Sequence, residues 1–167
     1  MTQRYNTATI LSVILMLGLF TGVRAGATNA DLRVKNALDE YGYQYEIDSD
    51  SDYKMVFETQ GDRTQLVFIN SGTEIYGDLE IREVWSPIYK YEGELPAKTA
   101  NMLLEASYQK KIGSFDIWTR SDGFKVVRFC AKISAAAAPA DLIDVIKAVY
   151  TSADLMETQL TGTKDEY

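Results

Sequence analysis

Asp48, Asp50 and Asp52 alternate in the run Asp48-Ser49-Asp50-Ser51-Asp52. This is the spacing that opens a calcium loop, in which oxygens from every second residue converge on one cation. Such a loop then needs glycine at its sixth place, for a sharp turn, and a bidentate glutamate at its twelfth. This chain has Tyr53 and Thr59 there, so the run reads as a solvated turn between strands and no metal is assigned. Glu80, Glu83, Asp116 and Asp122 have the right groups for acid–base work. Paired carboxylates act as acid and base only when their environments separate their pKa values, and nothing in the spacing marks such a pair. Histidine is absent, which excludes Ser-His-Asp and Cys-His catalysis and nearly all zinc sites. The chain also lacks a G-x-S-x-G elbow, a G-x-x-x-x-G-K-[ST] phosphate loop and a dinucleotide fingerprint. No catalytic residue and no cofactor is therefore assigned. A hydrolase using carboxylates alone is the enzymatic alternative.

Cys130 is the only cysteine, so no disulfide can form within the chain. It lies in the apolar run Val126-Val127-Arg128-Phe129-Cys130-Ala131, where a thiol packs as a small hydrophobe. The residues best suited to binding are aromatic. Trp85, Tyr89, Tyr91 and Trp118 fall near expected element ends or in a loop around Pro87, and Trp and Tyr are favoured anchors of protein interfaces. The alternative is that they cover the sheet beneath that loop.

The first residues concern the compartment. Arg4 precedes an apolar run from Ala8 to Val23, followed by the small-x-small exits Val23-Arg24-Ala25 and Ala25-Gly26-Ala27. A basic start, a short apolar centre and a small-residue exit form a secretory signal peptide, here residues 1–25. The apolar run is shorter than the roughly 20 residues a spanning helix needs, so no stable membrane insertion is expected after cleavage. Periplasmic or extracellular residence is the expectation. Losing Arg4 and Arg24 with no acid takes the formal charge from −7 to −9. Such a surface repels phosphate backbones, so nucleic acid is not an expected partner.

The remaining elements must position the aromatics within one domain, residues 30–161, followed by a polar tail, 162–167. Leu32, Val34, Leu38 and Tyr41 have helical spacing, with Thr28 or Asn29 as N-cap and Gly42 as the stop. Alternating strands follow on either side of the acidic turn, and Leu66-Val67-Phe68-Ile69 reads as an inner strand. Pro87, Gly93 and Pro96 suggest a loop, then a helix that ends with Lys110 and Lys111 in its last turn and Gly113 after it. Asp122-Gly123 predicts a hairpin, and Pro139 opens a last helix. Its apolar stripe runs from Leu142 through Ile146, Val149 and Ala153 to Met156 and Leu160. The class is α+β, a mainly antiparallel sheet with helices packed on it.

The second helix, then Gly113-Ser114-Phe115-Asp116-Ile117, Ser121-Asp122-Gly123-Phe124 and the strand to Ile133 resemble the YbjN-type family of bacterial sensory-transduction regulators. Pro139 to Leu160 is similar to that family's closing helix. The resemblance implies a fold like the type III secretion chaperones and a non-catalytic role through protein contact. The partner is an unidentified protein, and a second copy of the chain is one candidate. In that case Met156 and Leu160, at the far end of the stripe, are the expected dimer contacts.

Overall fold

A computed structural model describes residues 29–162 together with 164 and 165; the expected signal peptide lies outside the described residues. The chain runs α1 (Leu32–Glu40), β1 (Glu46–Ile47), β2 (Tyr53–Glu58), β3 (Thr64–Ile69), β4 (Glu74–Tyr76) and β5 (Leu79–Tyr91). It continues through α2 (Ala97–Tyr108), β6 (Ser114–Thr119), β7 (Lys125–Ser134) and α3 (Pro139–Thr161). The seven strands form one antiparallel sheet in the order β1-β2-β3-β5-β7-β6, with β4 pairing on β5. This is the α+β arrangement expected from the residue pattern.

The helices share one core with one face of the sheet. Val34 and Leu38 of α1, Leu103 of α2 and Ile146, Val149 and Ala153 of α3 join Met55, Val67, Val84, Val127 and Phe129 in a single buried cluster. Alternation along each strand sends every second side chain to the other face, where the described residues include no covering helix. We call this the open face.

Three local expectations need correction. Asp31, rather than Thr28 or Asn29, caps α1: its carboxylate accepts a hydrogen bond from the Arg33 amide at 2.8 Å. The Tyr43 amide bonds back to the Leu38 carbonyl and the Gly42 amide to that of Asp39, so Gly42, at φ 71°, closes the helix as a Schellman motif. Helix α2 ends at Tyr108, so Lys110 and Lys111 lie beyond its last turn. Gly113 instead leads into β6: with φ +74°, a Cβ there would meet the Phe129 ring at 2.7 Å. Finally, the Pro87 loop is strand. Helix α3 matches its expected span. The tail after it is partly docked, since the Lys164 carbonyl accepts from Arg63 and the Asp165 carboxylate from Thr64.

Pro87 sits between two neighbouring strands, where a residue without an amide hydrogen would normally break the sheet. The chain solves this with a bulge. Pro87 is opposite Arg128 and Tyr89 opposite Val127, so Ile88 has no partner and the register shifts. The pairing between β3 and β5 is confined to Phe68–Trp85 and Ile69–Val84. Side chains bridge the strands beyond it. Buried Gln65 donates its amide hydrogens to Ser86 Oγ and to the Pro87 carbonyl, both at 2.8 Å, and Ser86 Oγ donates to the Leu66 carbonyl at 2.5 Å.

Candidate functional site

The open face carries a groove of about 580 Å³, lined only by strands and turns. Leu66 and Phe68 of β3, Trp85 and Pro87 of β5, Val126 of β7 and Trp118 of β6 make its apolar floor. Phe68 and Trp85 stand opposite each other and stack at 4.4 Å with rings 14° apart. Trp118 approaches Trp85 at 5.7 Å, tilted by 58°, and keeps 41% of its surface exposed. Between these two strands β7 contributes Cys130 opposite Trp85 and Val126 opposite Trp118, side chains small enough to leave the indoles proud of the sheet.

The polar rim is held in place from behind. Asn70 Oδ1 accepts from the Trp85 indole at 2.9 Å, fixing that ring. The Asn70 carbonyl in turn accepts from Arg82, which reaches the Asp31 carboxylate that caps α1. Arg33 joins Asp31 to Glu80 at 2.6 Å, so the start of α1 is clamped to the strands that carry the groove. Its guanidinium holds Asp31 well below the usual carboxylate range and brings Glu80 down to about 2. On the acidic turn, Asp48 Oδ1 accepts from the Asp50 and Asp52 amides at 2.9 and 3.0 Å. Asp52 Oδ1 accepts from the Ser71 amide at 2.6 Å, which pins the turn over the end of β3. Burial pushes the Asp52 carboxyl up despite that bond.

The four acids with possible acid–base roles are each engaged by a cation. Glu80 pairs with Arg33, Glu83 with Arg128 and Lys132, Asp116 with Arg128 at 2.7 Å, and Asp122 with Arg120 at 3.1 Å. Among the described residues, no group of three or more His, Cys, Asp or Glu is placed to hold a metal. No described helix is long and apolar enough to cross a membrane.

The aromatics with expected binding roles do not form one set. Trp85 and Trp118 meet on the open face. Tyr89 and Tyr91 stack on each other at 6.0 Å and pack against the core on the helix side. The bulge at Ile88 causes the split, because one extra residue reverses which face the following side chains take. Phe68, Leu66, Val126 and Arg128 join the site without a sequence signal of their own: an apolar run such as Leu66–Ile69 does not say which residue faces which side. Cys130 is buried, at 5% exposure, opposite Trp85 rather than in the main core cluster. Burial pushes its thiol up to about 12. At the far end of α3, Met156 is 4% exposed within the core and Leu160 packs partly against it. Met156 is thus taken up by the chain's own core, and Leu160 in part.

Neither a family model nor a curated protein matches the sequence. Solved structures do. The crystal structure of YbjN from E. coli superposes with a TM-score of 0.45 at 9% identity, covering 76% of this chain and 89% of that one. An uncharacterized protein from Methanothermobacter thermautotrophicus superposes at 0.43 and 14% identity, covering 77% of this chain and 96% of that one. The functional reading below rests on the groove and not on these superpositions.

Proposed function

We propose that the protein is an exported, non-catalytic binding or regulatory domain that acts through protein contact on the open face of its sheet. The observation that carries this reading is the aromatic floor of Phe68, Trp85 and Trp118, surrounded by charged side chains. A desolvatable aromatic centre inside a polar rim is the anatomy of a protein-binding surface. Export, to the periplasm or outside the cell, is supported by the basic start, apolar run and small-residue exits of residues 1–25. A non-catalytic role is supported by the ion pairs that occupy Glu80, Glu83, Asp116 and Asp122.

The test is a parallel pull-down from envelope extract with wild-type protein and Trp118→Glu, a substitution at a half-exposed site that spares the core. Proteins retained by the wild type and lost from the variant are expected. Equal retention by both, or none by either, would contradict binding through this groove.

A further inference from the structure

We infer that the partner offers the groove a short, extended, basic segment, with a Lys or Arg between apolar side chains; this rests on the groove being the contact site. Three features of the site lead to this chemistry.

The first is the balance of charge. Every cation along the groove is already neutralised within the chain: Arg120 by Asp122, Arg128 by Asp116 and Glu83, and Lys132 by Glu83. The acids of the rim are not matched in the same way. Asp48 and Asp52 accept only from backbone amides. Exposed Asp50 and Glu74 have no ion pair among the described residues. The field that an incoming segment meets is therefore negative, in a chain of formal charge −7. Such a field steers cationic groups in and keeps acidic ones out.

The second is the floor. Trp85 is already engaged within the chain, by the Arg128 guanidinium 5.5 Å from its ring centre and by the stacked Phe68 ring, an instance of this floor holding a cation on an indole. Trp118, more exposed and tilted against Trp85, is the indole that offers a face to an incoming cation.

The third is shape. A second cleft of about 400 Å³ shares Asp50, Asp52, Asn70 and Glu83 with the groove, so the two are continuous. Crossing from β3 over β5 and β7 to β6 covers about 14 Å at the usual strand spacing, the reach of about four extended residues. A strand-like segment fits that path, with apolar side chains on the aromatic floor and a cation toward the acidic turn.

Trp85 and Trp118 are the only tryptophans, so tryptophan emission, excited selectively over tyrosine, reports on the groove. The probes are synthetic peptides of about ten residues alternating Leu with Lys, with Gln or with Glu, titrated into the purified protein. The Lys peptide is expected to shift the emission and to bind about tenfold more tightly than the Glu peptide, with an advantage that shrinks as salt is raised. Reversing charge with Asp50→Lys and Glu74→Lys, both at exposed sites, should remove that advantage, and Trp118→Ala should weaken the Lys peptide. Equal binding of all three peptides with a shifted emission would overturn the basic partner and leave the groove as the contact site. A Lys peptide bound equally by Trp118→Ala would show diffuse attraction to an acidic surface and would also overturn it. No shift with any peptide would overturn it as well, and the Trp118→Glu pull-down then decides separately whether the groove binds protein.

Discussion

Trp85 and Tyr89 stand on one strand, separated by the even spacing that should align them, yet they face opposite sides of the sheet. Ile88 is the cause. As the unpaired residue of the bulge it reverses the alternation, so Trp85 joins the groove while Tyr89 joins the helix-side core.

The two residues should therefore fail in different ways. Tyr89→Ala is expected to lower stability by about 1–3 kcal/mol through lost burial, with partner capture unchanged. Trp118→Ala should weaken capture and leave the urea midpoint nearly unchanged. Urea melts beside pull-downs check this, and a Tyr89 variant that loses capture at unaltered stability would place Tyr89 in the site.

Gln65 replaces the ladder that Pro87 interrupts. Gln65→Leu is expected to cost about 1–3 kcal/mol, because the Pro87 carbonyl loses its donor in a buried place. Ser86→Ala should act in the same direction. A urea midpoint equal to wild type in Gln65→Leu would mean that these bonds do not hold β3 to β5.

How much of this was legible beforehand follows from the same residues. Periodicity found the helices and most strands, and Asp122-Gly123 located the β6–β7 hairpin, because those signals are local. The groove was not legible, since Phe68, Trp85, Val126 and Trp118 come together only through the order β3-β5-β7-β6. Pro87 and Pro96 read as the bounds of a loop because a proline inside a sheet is rare. The side-chain bonds of Gln65 and the bulge that accommodate Pro87 have no sequence signature. Met156 and Leu160 lie at the far end of the stripe, yet α3 packs on β3, β5 and β7 and is buried from Leu142 as far as Met156 and Glu157.

Acid should loosen the clamp on α1. Hydrogen bonds from Arg33 hold Asp31 and Glu80 below the value of about 4 that such carboxyls have in an unfolded chain. Between those values the unfolded chain binds more protons, so this stabilisation is complete above about pH 5 and is lost as pH falls toward 2. Urea midpoints should therefore fall more steeply from pH 6 to pH 3 in wild type than in Asp31→Asn or Glu80→Gln. Parallel slopes would show that the clamp does not contribute.

Cys130 should behave as an inert thiol. With burial raising it to about 12, almost no thiolate exists at pH 8. A thiol reagent should label it slowly in the native protein and fast in urea. Rapid native labelling, or a dimer released by reductant, would contradict its burial.

Binding on the open face can be checked by site-specific photo-crosslinking in the producing cell. A benzoylphenylalanine placed at Val56, exposed on the open face beside Leu66, is compared with one at Leu155, equally exposed on α3. A protein adduct is expected from position 56 and none from position 155. An adduct only from position 155 would move the contact to the helices and contradict binding on the open face.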